Sequence, residues 1–227
     1  RCITVVMMCA AVGCGKRGPA GDAAPRDFGQ TIEAVIATNY GDIKVELYPE
    51  RAPKTVENFL QYAEAGFYDG LIFHRVIPGF IIQGGGYDEK LERKAAGEPI
   101  SGEANNGLRH ERGTLAMVHD GAAGAATSEF FINLANNHAL GEGAAGYRHA
   151  DYSVFGKVID GRDVVDLIAE VPTHCSHYWT RIGCEERNNL PRGFFDVPKE
   201  PVRIESVHRG SELVIRRAVS SPAKARQ

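Results

Sequence analysis

A surplus of either charge is the first thing this sequence lacks. Its 26 Lys and Arg against 29 Asp and Glu leave 227 residues with a formal net charge of -3. No stretch alternates basic and aromatic residues in the way that tracks a phosphate backbone, so a nucleic-acid partner is not expected. Long apolar runs are missing too. The most continuous, Ile3 to Val12 (ITVVMMCAAV), falls well short of the ~20 residues a helix needs to cross a bilayer. Cysteine is absent between Cys14 and Cys175, which confines thiol chemistry to the two ends of the chain. The run Gly121 to Ala126 (GAAGAA) lacks the Gly-Lys-Ser/Thr ending of a phosphate loop and reads as a surface loop. Internal repeats are absent as well.

What is present begins with that apolar run. Behind Arg1 it has the length of the hydrophobic region of an export signal. It leads into Ala11-Val12-Gly13-Cys14, which resembles the lipobox of bacterial lipoproteins, in which the cysteine is lipidated and becomes the mature amino terminus. Residues 1–14 are thus read as a signal peptide with Cys14 as the lipid anchor; cleavage as a plain secreted protein and a disordered leader that is no true signal are the alternatives. Acyl chains on Cys14 would attach the protein to a membrane, each buried methylene contributing about 0.8 kcal/mol. Residues 15–30, rich in Gly, Ala and Pro, have too few large apolar groups to pack and read as a flexible linker. The expected location is outside the cytoplasm of a bacterium, periplasmic or membrane-anchored.

From Thr31 apolar and polar residues alternate. Ile32, Ala34 and Ile36, then Ile43, Val45 and Leu47 beyond a turn at Asn39 to Asp42, spell a β-hairpin. Ala52-Pro53-Lys54-Thr55 opens a helix with Val56, Phe59, Leu60 and Ala63 on one stripe, ended by Gly66. Strand-like runs follow at 71–76, 80–83, 113–118, 130–133, 153–158 and 202–207. A second helix near 162–170 carries Val164, Leu167 and Ile168 on its inner side. Stretches 97–112, 121–128 and 141–151 read as turn-rich surface loops. Many short strands with only a pair of helices suggest a mainly β fold, a closed antiparallel barrel with a helix over each end, although periodicity alone does not separate this from an open α+β sandwich.

Several stretches carry a family resemblance. They are Ala52-Pro53-Lys54-Thr55-Val56-Glu57-Asn58-Phe59, Phe67-Tyr68-Asp69-Gly70, the run FHRVIPGFIIQGGG from Phe73 to Gly86, Gly113-Thr114-Leu115-Ala116-Met117, Ser128-Glu129-Phe130-Phe131-Ile132 and Val154-Phe155-Gly156-Lys157-Val158. In this order they resemble cyclophilins, over about residues 33 to 208. The resemblance implies a domain at 31–208 built as a closed eight-stranded antiparallel β-barrel capped by two α-helices. It also implies cis/trans isomerisation of peptide bonds preceding proline, without a cofactor, by a monomer whose partners are proline-containing polypeptides. Carried over by position, the catalytic residues would be Arg75 and Gln83. The substrate groove would be formed by Phe80, Ile81, Val118, His119, Glu129, Phe131, Ala139, Leu140 and Tyr152.

Rotation about an X–Pro bond makes and breaks no bond, so no nucleophile, metal or proton shuttle is required. A donor aimed at the prolyl nitrogen, whose lone pair returns only as the amide twists, binds the transition state selectively, and the guanidinium of Arg75 suits that task. Gln83 would steady Arg75 or the substrate carbonyl, while the apolar residues hold the proline ring. His74, next to Arg75 on a strand, points away from it and reads as structural. Four departures from the family stand out, one of them Tyr152, which stands where many members have histidine. Glu129 replaces a usual glutamine, and a carboxylate near Arg75 would either fix it productively or draw it off the prolyl nitrogen. His119 stands where asparagine or arginine is common, and Ala139 where a rim tryptophan or phenylalanine is usual, which should weaken cyclosporin binding. The second function consistent with these departures is a proline-peptide-binding or chaperone module with low turnover.

Between the second helix and the last strand, residues 172–198 form an apparent insert. Cys175 and Cys184 within it are open to three readings: a disulfide, free thiols, or a Zn²⁺ site completed by His174 or His177. Residues 209–227 are basic and rich in Ala and Ser, and are expected to be a disordered tail.

Overall fold

A computed structural model describes residues 28–120, 125–141, 152–174, 190–191 and 194–210. The leader with Cys14, most of the linker and nearly all of the tail lie outside these residues, as do Cys175 and Cys184. No described helix is long and apolar enough to cross a membrane.

Strands β1 (Ile32–Thr38) and β2 (Gly41–Leu47) form the expected hairpin, with Ile36 opposite Ile43 and Thr38 opposite Gly41. Its turn is pinned by the Thr38 hydroxyl, which accepts from the Tyr40 N–H at 3.1 Å and donates to the Gly41 carbonyl at 2.7 Å. Alternation sends Ala34, Ile36, Ile43, Val45 and Leu47 into the interior.

Helix α1 (Pro53–Glu64) buries Val56, Phe59, Leu60 and Ala63, as its spacing requires. Ala52 precedes it and has no side-chain oxygen to cap the free amides. The carboxylate of Glu103 does so from a distant loop, accepting from the Thr55 N–H at 2.9 Å, the Thr55 hydroxyl at 2.8 Å and the Lys54 N–H at 3.2 Å.

The remaining strands are β3 (Arg75–Ile77), β4 (Ile81–Gly84), β5 (Ile100–Ser101), β6 (Thr114–Asp120), β7 (Ala125–Asn133), β8 (Ser153–Asp160) and β9 (Ile204–Arg209). All strand pairs are antiparallel, in the order β3-β4-β7-β6-β8-β2-β1-β9, with β5 added to β7. The fold is mainly β with a pair of α-helices, but the expected closed barrel is corrected: the ladder is open between β3 and β9. Residues 197–199 pair with 172–174, with Thr173 opposite Pro198 and the Lys199 N–H on the Pro172 carbonyl, so β3 is left without a second regular partner strand. The edges are stitched irregularly instead, by a bridge between Ile72 and Arg203 and by bonds from Phe73 N–H to the Val202 carbonyl (2.9 Å) and Val76 N–H to the Asp196 carbonyl (2.8 Å).

Three smaller expectations also change. In helix α2 (Arg162–Ala169) the buried residues are Val165 and Ile168, while Leu167 is 55% exposed. At ~100° per residue Leu167 lies roughly 100° from the centre of the Val164/Val165/Ile168 stripe. Strand β7 begins at Ala125, inside the expected loop 121–128. The expected surface loop 97–112 holds β5, the capping Glu103 and the buried His110.

The interior is one cluster in which Phe59 meets Phe130 edge-on at 5.4 Å and Phe155 at 5.3 Å. A second, smaller apolar cluster lies on the opposite face of the sheet: Ile81, Ala116, Phe131, Leu140 and Val154, flanked by Phe80, Leu108, Val118 and Tyr152. The period of two divides them. Along β7, Phe130 and Ile132 face inward while Phe131 faces outward.

Candidate active site

The outward-facing cluster is organised by strand register. Arg75 of β3 is opposite Gln83 of β4, Gln83 opposite Phe131 of β7, Phe131 opposite Ala116 of β6, and Ala116 opposite Val154 of β8. A single transverse row thus runs from a cation through an amide to an aromatic ring and then to small apolar residues. A depression adjoins Phe131. The cavity there is about 190 Å³ and is lined by Arg75, Phe80, Ile81, Gln83, Val118, Phe131, Leu140 and Tyr152.

Three of the expected groove residues stand outside that lining. Ala139 is exposed at the rim, in a short 3-10 turn (His138–Leu140) that turns Leu140 inward. His119 is half-buried beyond Tyr152, its Nε2 3.1 Å from the Ser153 hydroxyl and its ring 6.1 Å from that of Tyr152. Glu129 is buried on the far side of Gln83, where its Oε2 accepts from Gln83 Nε2 at 3.0 Å. Gln83 Oε1 in turn accepts from Arg75 Nη1 at 3.5 Å, so this link between Glu129 and Arg75 runs through an amide. Arg93 Nη2 lies 3.5 Å from Glu129 Oε1, and His74 Nε2 lies 3.5 Å from Oε2.

His74 is buried, and its pKa is lowered to about 3 by burial first and then by the charges of Arg75 and Arg93. It is neutral at physiological pH. With a proton on Nε2 facing Glu129, its Nδ1 is left as a buried acceptor with no hydrogen-bond partner among the described residues. Burial also raises the Tyr152 pKa, while the Arg75 charge opposes the shift; the guanidinium therefore acts across the cavity.

A supporting layer beneath the cavity was not anticipated. His110 stacks on Phe131 at 5.9 Å with an interplanar angle of 14°. Its Nε2–H donates to the Tyr152 carbonyl at 3.2 Å, and its Nδ1 accepts from Asn133 Nδ2 at 3.3 Å. Burial lowers the His110 pKa to about 4, against the Tyr152 hydrogen bond that would raise it. Asn137 Nδ2 donates to the Phe80 carbonyl at 2.8 Å and to Asn133 Oδ1 at 2.9 Å. Phe80, Phe131 and Tyr152 are thereby tied to one polar network. Asn133 carried a signal, since asparagine is depleted in strands and this one shares the outward face with Phe131. Arg93 carried none, as it lies outside every motif.

Beyond Gln83 a second cavity of about 460 Å³ is lined by His74, Arg75, Gln83, Tyr87, Glu129, Phe194 and Phe195. Its outer wall is the returning limb of the insert, whose ends are paired: His174 N–H bonds to the Val197 carbonyl at 2.7 Å and Lys199 N–H to the Pro172 carbonyl at 2.8 Å. Phe194 meets the Tyr87 ring edge-on at 5.0 Å. Among the described residues no group of His, Cys, Asp or Glu is placed to hold a metal ion, and the proposed bridge or zinc site at Cys175 and Cys184 lies outside them.

Comparison with known proteins gives a consistent result. The family model described as cyclophilin type peptidyl-prolyl cis-trans isomerase/CLD matches residues 34–209. Peptidyl-prolyl cis-trans isomerase B of Escherichia coli is 47% identical over 170 residues, covering 75% of this chain and 94% of that protein. A peptidyl-prolyl cis-trans isomerase of Acinetobacter baylyi is 48% identical over 172 residues, covering 76% and 82%. A cyclophilin-type isomerase of Cryptosporidium parvum, solved in the presence of the dipeptide Ala-Pro, superposes with a TM-score of 0.60 at 27% identity, over 79% of this chain and 99% of that one.

Proposed function

The chain belongs to the cyclophilin-type peptidyl-prolyl cis-trans isomerase family, and we propose that Arg75 supplies the catalytic hydrogen bond to the prolyl nitrogen while the adjoining apolar cavity grips the ring. The chain is a peptidyl-prolyl cis-trans isomerase. The barrier it must lower is ~18–20 kcal/mol of amide resonance. Shortening tens of seconds to milliseconds requires a factor of about 10⁴, or ~5.5 kcal/mol of stabilisation given to the twisted amide and withheld from the planar one.

The observation that carries this reading is the transverse row, in which a guanidinium sits one strand-step from an amide and two from the wall of an apolar cavity. Proline in the cavity is held by Phe80, Ile81, Phe131 and Leu140. As the carbonyl side of the bond rotates, the nitrogen pyramidalises and its lone pair meets the permanent charge of Arg75 at the cavity edge. Gln83 fixes the guanidinium through its carbonyl oxygen. Substrates on this reading are proline-containing polypeptides, in keeping with the Ala-Pro dipeptide used with the Cryptosporidium relative. The row is complete within one chain, so the proposed site needs no residue from a second copy.

The test is a cis/trans assay of a short X–Pro peptide with the full chain and its Arg75→Ala variant. Removing the donor should lower kcat by 10²–10³-fold, the usual cost of losing a single preorganised hydrogen bond to developing charge. A full chain inactive on every peptide tried would favour the binding-module reading.

The cellular setting is a further proposal. The apolar run before Ala11-Val12-Gly13-Cys14 supports export and lipidation at Cys14, with residues 15–30 as tether, the insert at 172–198 and the tail at 209–227 as appendages, and the catalytic domain working outside the cytoplasm. Incorporation of labelled fatty acid that is lost in Cys14→Ser would support this, and its absence in the unaltered chain would contradict it. An exported location in turn favours a Cys175–Cys184 disulfide, which thiol counting with and without reductant decides.

A further inference from the structure

Gln83 presents a symmetric shape with an asymmetric function: one end of its amide accepts hydrogen bonds and the other only donates. Arg75 also only donates. If the amide nitrogen of Gln83 faced Arg75, two donors would meet and the guanidinium would be pushed from its place. Something must therefore set the sense of the amide.

We propose that Glu129 is that positioning residue, an acceptor-only group that holds the nitrogen of Gln83 toward itself and so aims the carbonyl oxygen at Arg75, with Arg93 holding the carboxylate in place. The inference rests on the reading of Arg75 given above. Its geometry is a chain: Arg93 Nη2 to Glu129 Oε1 at 3.5 Å, Gln83 Nε2 to Glu129 Oε2 at 3.0 Å, and Arg75 Nη1 to Gln83 Oε1 at 3.5 Å. The Glu129 side chain is 11% exposed. Burying such a charge is costly without partners, and it is retained beside the active row. The fold makes room for it at Gly86, where a Cβ would come within 2.5 Å of Glu129 Cγ. The imidazole of His74, neutral from its burial, adds a polar neighbour at 3.5 Å without adding charge. An uncharged glutamine at position 129 could present either end of its own amide. A carboxylate cannot, so it dictates one orientation.

The expected behaviour separates positioning from binding. Glu129→Ala frees Gln83 to flip, and kcat should fall by roughly 10-fold to 10²-fold, the scale set by a misplacement of about 1 Å at a reacting centre. KM for the X–Pro peptide should change less than about two-fold, since the apolar cavity is untouched. Glu129→Gln keeps an oxygen able to accept from Gln83 and should restore more than half of the turnover. A direct readout is the side-chain ¹⁵Nε resonance of Arg75. Guanidinium rotation should be slow in the unaltered chain and in Glu129→Gln, and fast in Glu129→Ala, a change that a generally loosened fold would not confine to one arginine. Arg93→Ala, at a half-exposed loop position that does not endanger folding, should show the same split in milder form, with kcat down about three-fold at constant KM.

The outcomes are distinct. If Glu129→Ala or, should that variant not fold, Arg93→Ala retains full kcat while Arg75→Ala loses it, the positioning role of Glu129 is overturned and the reading of Arg75 stands. If Arg75→Ala itself turns over normally, the site reading fails and this inference with it. Loss of kcat together with free rotation of Arg75, rescued by glutamine, is the result the geometry requires.

Discussion

Two buried imidazoles set a measurable acid limit on this fold. His74 and His110 titrate near 6.5 when exposed, but in the folded chain burial lowers them to about 3 and about 4. Because both folded values lie below the unfolded one, the unfolded chain takes up protons that the folded chain refuses. Stability is then complete above pH 6.5 and is lost as pH falls, through pH 4 for His110 and pH 3 for His74. At about one pH unit below 6.5 each group contributes roughly 1.4 kcal/mol, so moving from pH 7.5 to 5.5 should cost about 2.7 kcal/mol from the pair. Asp160, whose carboxyl the Lys44 hydrogen bond holds below its ordinary 3.8, acts only in more acid solution and does not enter this window. The assay is urea unfolding at both pH values for the unaltered chain, His74→Gln, His110→Gln and the double variant. Each single change should remove about half of the loss and the double change nearly all of it. The baseline stabilities will differ among variants, so the difference between the two pH values is the quantity compared. Equal differences in all four proteins would refute the reasoning, as would an unaltered chain equally stable at both pH values. A functional echo is expected in the site: protonating His110 Nδ1 sets two donors against each other at Asn133 and unsettles the ring beneath Phe131.

Other expectations follow from single positions. Ala139 is exposed at the cavity rim, and Ala139→Trp should supply a packing surface that tightens cyclosporin binding by an order of magnitude or so, equivalent to about 1.4 kcal/mol; calorimetric titration reading equal affinity for both would contradict it. Gly161 adopts φ +75° at the entry to α2 with its missing Cβ directed at the Asp42 carbonyl. Gly161→Ala should therefore destabilise the fold by at least about 2 kcal/mol while leaving kcat per folded molecule unchanged, measured by thermal unfolding beside the peptide assay.

Much of the scaffold was legible because its signals are local. The hairpin announces itself by alternation at Ala34, Ile36, Ile43 and Val45, and α1 by its Pro53 start and its stripe at Val56, Phe59, Leu60 and Ala63. The residues lining the first cavity came as a set from the family resemblance, carried over by position; Arg75, Phe80, Ile81 and Gln83 among them fall in the motif from Phe73 to Gly86. What escaped is non-local. Nothing near Ala52 indicates that Glu103 caps α1, nor does anything near Arg93 point to Glu129, because these contacts are made by folding loops back onto the sheet. The opening between β3 and β9 depends on residues 197–199 pairing with 172–174, a match that no local pattern defines. Leu167 was misassigned because a short helix leaves the phase of its apolar stripe poorly determined. The fold there chooses Val165.

The central claim is that Arg75 stabilises the twisted amide rather than the bound peptide. Exchange NMR on an X–Pro peptide saturated with the full chain measures it most directly, since it reads the affinity for the cis and trans forms and the rate of their interconversion on the enzyme as separate quantities. In Arg75→Ala the account predicts affinities within about three-fold of the unaltered chain and an on-enzyme rate lower by at least 10². Affinities that collapse while the on-enzyme rate is preserved would contradict it.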